Sequence, residues 1–258
     1  MLAETRDTGR QVHAALESDV VYLWRANLDV DRGELEWLED LISPLEREQA
    51  AHAPGRYRAR LIAAWGIRRA LLCHYLRREP RELSFSRGPH GKPELCSVLG
   101  EEPELRFNMS HSGGFAIYAI TESRRLGVDV EQLRPELADE QTVMSFLAAS
   151  EVAGLKRLPA HLRLDGFFSC WTRKEAYLKA TGDGLSVPVA SFAVSVHPGS
   201  EAILAEHRDP SELDRWTLRS FRPVPGFIAS VAIEGAGIEF RHFDWDKHRE
   251  ANPRMVGG

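Results

Sequence analysis

The sequence has little cysteine and no long apolar run. Its three cysteines, Cys73, Cys96 and Cys170, are too few and too scattered for a disulfide framework or a cysteine zinc site. The longest apolar run, residues 61–67, falls far short of the ~20 residues that span a bilayer. The N-terminal residues 1–10 are charged and lack the apolar core of a signal peptide. We therefore expect a soluble cytoplasmic protein with reduced cysteines and no membrane contact.

Basic residues are outnumbered by acidic ones over the chain as a whole, 33 against 38. The net charge of −5 over 258 residues argues against a general nucleic-acid binder. Between residues 56 and 81, however, eight arginines stand against a single acid, Glu79. Such a segment suggests a local site for a phosphorylated ligand, and the alternative is a solvated helix face. Arg56 and Arg60 lie one turn apart near the start of a predicted helix, where free backbone N–H groups also favour anions.

The order of predicted elements indicates an α+β protein. Residues 20–24 predict a first strand, and apolar spacing predicts a long helix over 56–78. Further strands are predicted over 105–112, 115–120, 126–131, 185–196, 215–221 and 227–233, and further helices over 34–41, from Ser43-Pro44, within 135–163 and over 171–180. We expect two similar lobes, residues 1–124 and 125–258, with a polar, peripheral tail from Asp244.

The helix predicted over residues 171–180 carries an unusual face. Its residues are good helix formers, and Gly182 follows where a helix would stop. At roughly 100° per residue, an arc of about 140° holds Trp171, Lys174, Glu175, Leu178 and Lys179. A helix that faces the core would not place a carboxylate and two ammonium groups beside a tryptophan. The alternative is a surface helix with an i,i+4 pair between Glu175 and Lys179.

Two strands end in polar residues that suit a phosphate or a metal ion. Alternation along the strand places Asp129 and Glu131 on one face, about 6–7 Å apart, where their repulsion would be relieved by a hard cation. The alternative is a strand with a solvated acidic face. Ser110 and His111 follow another strand and could contact a phosphate. Lys92 lies in a glycine- and proline-rich loop, where a lysine is usually solvated.

Four motifs stand in a fixed order along the chain. They are G-K-P at 91–93, F-N-M-S-H-S at 107–112, G-V-D-V-E at 127–131 and W-T-R-K-E-A-Y-L-K-A-x-G at 171–182. Together they resemble the 4'-phosphopantetheinyl transferases, specifically the larger, two-lobed type with pseudo-twofold symmetry that activates carrier domains of fatty acid, polyketide and nonribosomal peptide synthesis. The resemblance covers residues 40 to 235. It implies that a carrier-protein serine attacks the β-phosphate of coenzyme A and releases 3',5'-ADP.

The resemblance also assigns a metal site and catalytic residues. Asp129, Glu131 and Glu175 match the carboxylates that hold Mg²⁺, with Mn²⁺ as an alternative ion, and three hard oxygen ligands suit such an ion. Glu175, Lys179 and His111 match catalytic residues. Glu175 is the family's candidate for the base that takes the serine proton, and a water bound to the metal is an equal candidate.

For coenzyme A, the resemblance implies a second set of residues. Those expected to bind it are Arg56, Arg60, Lys92, Ser110, His111, Lys174 and Lys179. Lys92 matches a lysine near the adenosine end. Arg56 and Arg60 are chosen for the 3'-phosphate from helical spacing and charge, with Arg47 as a further candidate. Lys174 directly precedes a metal ligand, so its alternative role is to pair with a carboxylate.

The expected partners are apo acyl or peptidyl carrier proteins. A candidate docking segment runs over residues 133–164 and includes Phe146, Leu147, Lys156, Arg157 and Arg163, and the alternative is an ordinary amphipathic helix pair. A monomer is expected because one chain supplies two lobes. Two other functions remain open: a non-catalytic module that binds coenzyme A or carriers, and a Mg²⁺-dependent phosphohydrolase. The hydrolase would need no protein acceptor.

Overall fold

The computed structural model describes residues 16–88, 91–96, 105–137, 146–199 and 202–251. The first half begins with strand β1 (Val20–Asn27), followed by helices α1 (Arg32–Leu41), α2 (Pro44–Ala51) and α3 (Gly55–Leu76). Side-chain caps explain where the two short helices start. Asp31 accepts a hydrogen bond from Glu34 N, and Ser43 and Glu46 form a capping box. Among the described helices, none is long and apolar enough to cross a membrane.

Four strands complete the first half. They are β2 (Phe85–Arg87), β3 (Pro93–Leu95), β4 (Arg106–Ser112) and β5 (Phe115–Thr121). Strand β5 pairs with both β1 and β4 in antiparallel fashion, and β2 pairs with β3 in a separate hairpin. Helix α3 packs on one face of this sheet, where Tyr118 donates a hydrogen bond to Ala64 O. The predicted first strand, the predicted long helix and the strands predicted over 105–112 and 115–120 are confirmed.

The second half repeats this order of elements. It contains β6 (Leu126–Gln132), α4 (Ala149–Arg157), α5 (Ala160–Thr181), β7 (Ala193–Val194), β8 (Leu204–Glu206), β9 (Trp216–Phe221) and β10 (Phe227–Glu234). Its main sheet has the order β6-β10-β9, and the first half has the equivalent order β1-β5-β4. Each half also has a 22-residue helix. The predicted α+β fold is confirmed, and its topology is compatible with two lobes related by a pseudo-twofold axis.

The two sheets pack against each other through the faces that their helices leave open. Alternation along β1 turns Tyr22 and Trp24 towards α3, and Val21 and Leu23 towards the second sheet. Val21 and Leu23 share one buried cluster with residues of β6 and β10, among them Val128. This apolar layer joins the halves and brings strand β4 of the first beside strand β6 of the second.

The described part of the second half differs from the sequence prediction in two places. The helix predicted over 171–180 is the last part of α5, which begins at Ala160 directly after Pro159. The strand predicted over 185–196 is wrong for most of its length, because only Ala193–Val194 is extended and paired. Pro188 lacks the N–H that a strand ladder needs, and single helical turns surround it. Part of the predicted helical stretch, residues 138–145, lies outside the described residues.

The end of the chain returns to the first half. Strand β11 (Glu239–Asp244) pairs in parallel with β1, and helix α6 (Trp245–Ala251) follows. Phe243 stacks on Trp24 with 4.8 Å between ring centroids, and Trp245 is 0% exposed. The prediction of a peripheral tail is therefore wrong. The division at residues 124 and 125, which falls between β5 and β6, stays a prediction, with the end of the chain lying on the first sheet.

Candidate active site

The candidate site lies where strands β4 and β6 run side by side. Alternate side chains of β4 reach across to β6. Asn108 Oδ1 accepts a hydrogen bond from Val128 N at 2.8 Å. Ser110 Oγ donates to Asp129 Oδ1 at 2.8 Å, and Ser112 Oγ donates to Glu131 Oε2 at 2.7 Å. The packing of the two halves thus brings the serines of one motif to the carboxylates of another.

Lys179 joins this junction from helix α5. Its ammonium group lies 2.7 Å from Asp129 Oδ1 and 3.0 Å from Ser110 Oγ. Asp129 is only 4% exposed, and its second carboxylate oxygen, Oδ2, is buried with no hydrogen-bond partner among the described residues. Because an unsatisfied buried carboxylate oxygen costs free energy, this atom is suited to complete its bonding with a ligand.

Glu131 and Glu175 complete a group of three acids. Burial raises the pKa of Glu131, and the nearby charge of Asp129 raises it further. Burial also raises the pKa of Glu175, with added contributions from Asp129 and Glu131, while Lys179 lowers it. The contributions of the neighbouring acids to both shifts show that the carboxylates lie close enough to oppose one another's ionisation.

The three acids fit a hard cation in their chemistry. Among the residues that the structure describes, no three side chains of histidine, cysteine, aspartate or glutamate are already arranged to hold a metal ion. Three mutually repelling carboxylates, one with an unpartnered buried oxygen, are nevertheless the donors that Mg²⁺ prefers. Asp129, Glu131 and Glu175 would therefore be the residues that hold it.

His111 lies on β4 between Ser110 and Ser112, so alternation directs its side chain to the opposite face of that strand. Burial lowers the pKa of His111, Lys179 lowers it further, and Asp129 partly opposes this. A pKa below the usual ~6.5 makes the imidazole neutral at neutral pH. In that state it can donate one hydrogen bond and accept another.

The structure does not bring Lys174 to the three acids. Its side chain is 0% exposed, and its ammonium group lies 2.8 Å from both carboxylate oxygens of Glu151. Glu151 also accepts hydrogen bonds from Ala148 N and Val194 N. In the structure, Lys174 therefore has the alternative role that was expected for it: it pairs with a carboxylate and does not lie at the candidate coenzyme site. Glu151 could not be predicted as this partner, because its position relative to Lys174 depends on how α4 packs against α5.

Lys92 reaches the site region from the β2–β3 hairpin. Its ammonium group donates to Leu126 O at 3.0 Å and to Lys179 O at 2.7 Å. Burial lowers the pKa of Lys92 to about 8. A cavity of about 230 Å³ lies beside it, and Arg106, Phe107 and Arg125 are among its lining residues.

Arg56 and Arg60 meet at one carboxylate that sequence analysis did not identify. Each guanidinium donates two hydrogen bonds to Asp29, at 2.6 to 3.1 Å. These bonds hold the pKa of Asp29 well below its usual range. A Cβ added at Gly114 would come within 2.9 Å of the Arg60 guanidinium, so Arg60 lies at the β4–β5 turn. Arg47 donates to Glu39 O instead.

Comparisons with known proteins agree on one family. A family model described as the 4'-phosphopantetheinyl transferase superfamily matches residues 125–232. The 4'-phosphopantetheinyl transferase HetI of Nostoc sp. is 35% identical over 234 residues, which cover 88% of this chain and 94% of that protein. The 4'-phosphopantetheinyl transferase Sfp of Bacillus subtilis (strain 168) is 28% identical over 191 residues, covering 74% and 81% of the two chains.

A third relative, the 4'-phosphopantetheinyl transferase AcpT of Escherichia coli (strain K12), is 33% identical over 193 residues, which cover 75% of this chain and 89% of that protein. The similarity to HetI extends beyond the second half and includes most of the elements described above. The chain therefore belongs to the 4'-phosphopantetheinyl transferase superfamily and is a transferase enzyme of that family.

Proposed function

We propose that this enzyme transfers 4'-phosphopantetheine from coenzyme A to a serine of an apo acyl or peptidyl carrier protein. The observation that carries the proposal is the junction of Ser110, Asp129 and Lys179, with Glu131 and Glu175 beside it. It combines hydrogen-bond donors for phosphate with carboxylates for a metal ion. The serine oxygen bonds to the β-phosphorus, the bond between that phosphorus and the oxygen bridging to the α-phosphate breaks, and adenosine 3',5'-bisphosphate leaves with this oxygen.

Lys179 and Ser110 are suited to hold the pyrophosphate. The ammonium group of Lys179 already bonds to Ser110 Oγ, so both donors point into one region of the site. Neutral His111, whose side chain points to the face of β4 opposite Ser110, would supply a further donor only to a part of the ligand that reaches that face. Fixed donors around the phosphates stabilise the negative charge that develops as the bond to the leaving group breaks.

Glu175 is suited to take the proton of the attacking serine. Without a cation its pKa is raised by burial and by Asp129 and Glu131. Because a bound cation would lower that pKa, a water on the metal is an equal candidate for the base. Mg²⁺ or Mn²⁺, when bound to the three acids, would neutralise charge on the phosphates. Carboxylate repulsion within the site and the orphaned Asp129 Oδ2 both support this ion.

Arg56 and Arg60 are our candidates for the 3'-phosphate. Their guanidinium groups already converge on one carboxylate, Asp29, and forked contacts of this kind also suit a phosphate. The cavity beside Lys92 is a poorer place for the adenosine end of the same coenzyme A. It reaches Phe107, whereas Arg60 lies at Gly114 in the turn after β4, and the strand from Phe107 to Ser112 alone spans roughly 16 Å at ~3.3 Å per residue.

We place carrier docking next to Glu175, on the outer side of helices α4 and α5. Phe146 is 40% exposed and packs edge-to-face on Trp171 at 5.5 Å, one helical turn before Glu175. Lys156, Arg157 and Arg163 add positive charge on the same helices, which favours an acidic carrier surface. We further propose a cytoplasmic monomer, because both halves of one chain supply the site and all three cysteines are free thiols.

Intact-mass spectrometry of a panel of apo carrier domains tests the proposal. Each carrier is incubated with the enzyme, coenzyme A and Mg²⁺, with and without EDTA. A gain of one phosphopantetheine that is lost with EDTA is expected. If coenzyme A is bound but no carrier gains mass, the protein is a binding module. If coenzyme A is cleaved without any carrier, the hydrolase replaces the transferase.

Asp129→Ala tests the metal assignment in the same assay. We expect at least a ~10²-fold loss of turnover with the fold intact, because the substitution removes both the partner of Lys179 and a metal ligand. Asp183→Ala, an exposed aspartate just beyond α5, is the matched control and should retain its turnover. Normal turnover in a folded Asp129→Ala variant would overturn the assignment.

A further inference from the structure

We propose that Lys92 is a positioning residue, which fixes helix α5 against strand β6 and acts on transfer through Lys179 and Glu175 rather than by binding coenzyme A. The inference rests on the proposed function for what α5 and β6 do. The claim that Lys92 fixes α5 against β6 depends only on the contacts of Lys92.

The two acceptors of Lys92 belong to the two elements that carry the site. Leu126 is the first residue of β6, the strand that bears Asp129 and Glu131. Lys179 is near the end of α5, the helix that bears Glu175. One ammonium group therefore bonds simultaneously to the backbone of both elements. It comes from the first half of the chain, so it also ties the halves together.

The backbones of strand β6 and helix α5 come into contact directly beside these acceptors. Gly127 follows Leu126, and a Cβ there would clash with Ala176 O and Ala180 N of α5. The backbones are thus in direct contact, and only glycine permits this approach. Gly127 itself has no side chain that could hold the two elements in register. The two hydrogen bonds of Lys92 supply a directional tie at that point.

The last turn of α5 needs donors in any case. The final carbonyl groups of a helix have no partner within the helix and carry partial negative charge, so they favour a cation. Lys92 bonds to Lys179 O, Arg125 bonds to Thr181 O, and Gly182 N bonds to Leu178 O. Arg125 lies in the same half as the helix. Of these two cations, Lys92 is therefore the one that links helix α5 to the first half of the chain.

The position of the Lys179 ammonium group depends on the same turn of helix α5. Its backbone oxygen is held by Lys92, and its side chain bonds to Asp129 and Ser110. Loss of the backbone tie would let this turn move relative to β6. Displacement of reacting groups by about 1 Å can cost ~10²-fold in rate, so a tie that contacts no substrate can still control turnover.

Lys92→Met, which keeps the length of the side chain and removes its donors, tests the inference. Hydrogen exchange of the amides in 176–182 should speed up, and kcat should fall by about 10- to 100-fold. The affinity for adenosine 3'-monophosphate, which has no 5'-phosphate for Lys179, should change less than about threefold by ligand-observed NMR, which corresponds to about 0.65 kcal/mol. Lys92→Arg, which keeps donors, should restore part of kcat. Lys247→Met, at an exposed lysine of α6, should match the wild type.

The opposite pattern would overturn the inference. A loss of at least ~10-fold in affinity for adenosine 3'-monophosphate, with unchanged exchange in α5, would make Lys92 a coenzyme ligand. Unchanged exchange together with unchanged kcat would remove any role in positioning. If Lys92→Met does not fold, Lys92→Gln with the same measurements decides the question. A wild-type protein that transfers no phosphopantetheine would contradict the proposed function. The hydrogen bonds of Lys92 to α5 and β6 would still be tested, because hydrogen exchange does not require turnover.

Discussion

At the scale of single residues, the site is a balance of charges that a cation would complete. Asp129 has Lys179 as a partner, whereas the raised pKa values of Glu131 and Glu175 show that these groups are held in an environment unfavourable to their ionised form. The folded protein therefore retains protons on these two carboxyls at a pH where an unfolded glutamate, with a pKa of ~4.3, has lost them. Their contribution to the free energy of unfolding falls as the pH rises through that window, because the folded state then binds more protons than the unfolded state.

Glu175→Gln should make this balance measurable. Without metal at pH 7, the variant should unfold at a higher temperature than the wild type, because a charge that opposes folding is gone. The stabilisation by Mg²⁺ should shrink, because one ligand is lost. Differential scanning fluorimetry across pH 4 to 8, with and without Mg²⁺, checks both effects. An unchanged Mg²⁺ shift would show that Glu175 is not a ligand.

Arg60 offers a test of coenzyme specificity. Arg60→Ala should weaken coenzyme A by about tenfold, roughly 1.4 kcal/mol, and 3'-dephospho-coenzyme A much less, because a forked contact to the 3'-phosphate is lost. Arg58→Ala is the matched control, since Arg58 lies on the same helix but bonds to Glu39 rather than Asp29. Isothermal titration calorimetry with both ligands gives the comparison. Equal losses for the two ligands would remove Arg60 from this role.

Most residues of the candidate site could be predicted from sequence, but some of their partners could not. The acids of β6, Lys179 and the serine motif were predicted as one site, and the structure brings them together through β4, β6 and α5. Asp29 and Glu151 were missed. Each is a single acid with no spacing signal, and each finds its arginine or lysine partner only after helices have packed.

At the scale of elements, the approach of α5 to β6 decides where Lys179 of the helix meets Asp129 of the strand. Gly127→Ala tests it. The added methyl group must push the strand away from backbone atoms of the helix, so we expect a loss of about 1–3 kcal/mol in the free energy of unfolding, measured by urea titration. Turnover should fall as well, because Asp129 lies on the displaced strand.

Gly88→Ala is the control for this substitution. A Cβ at residue 88 would have only ordinary contacts at 3.7 Å, and the backbone there is not in the left-handed region. Its effect should stay within about 0.5 kcal/mol. If both alanine variants unfold at the same urea concentration as the wild type, the close contact of α5 and β6 does not limit stability.

Elements with a strong period were predictable and those shaped by packing were not. The long helix α3 and the hairpins β4–β5 and β9–β10 were predicted within a few residues, because apolar spacing and turn residues agree there. The stretch 185–196 alternates like a strand, yet Pro188 and the neighbouring helical turns leave a short pair at its end. Local alternation cannot report whether a partner strand is available.

At the scale of the whole molecule, the chain closes on itself. β11 adds a parallel strand to β1 and covers an edge that would otherwise be open, and α6 then buries Trp245 against the first half. A local sequence pattern cannot predict a pairing between residues more than 200 positions apart, and the polar residues after Phe240 do not indicate a buried strand. The aromatic residues at 243 and 245 were the signal that could have revealed it.

Trp245→Ala tests whether this closure stabilises the first half. Trp245 stacks near Trp37, with 6.2 Å between ring centroids, and its indole nitrogen donates to Glu34 at 3.2 Å. Removal of a fully buried tryptophan should cost about 3–5 kcal/mol of the free energy of unfolding. Hydrogen exchange should speed up in β1 and α1, which contact this end of the chain, before it does in β6 and β10.

Trp245→Phe separates packing from the hydrogen bond in that experiment. It keeps an aromatic ring and loses the indole donor, so its loss should be clearly smaller than that of the alanine variant. If both halves instead loosen together in Trp245→Ala, the apolar layer between the two sheets makes them one cooperative unit. In that case the end of the chain, which pairs with β1 of the first sheet, also stabilises β6, the strand that carries Asp129 and Glu131.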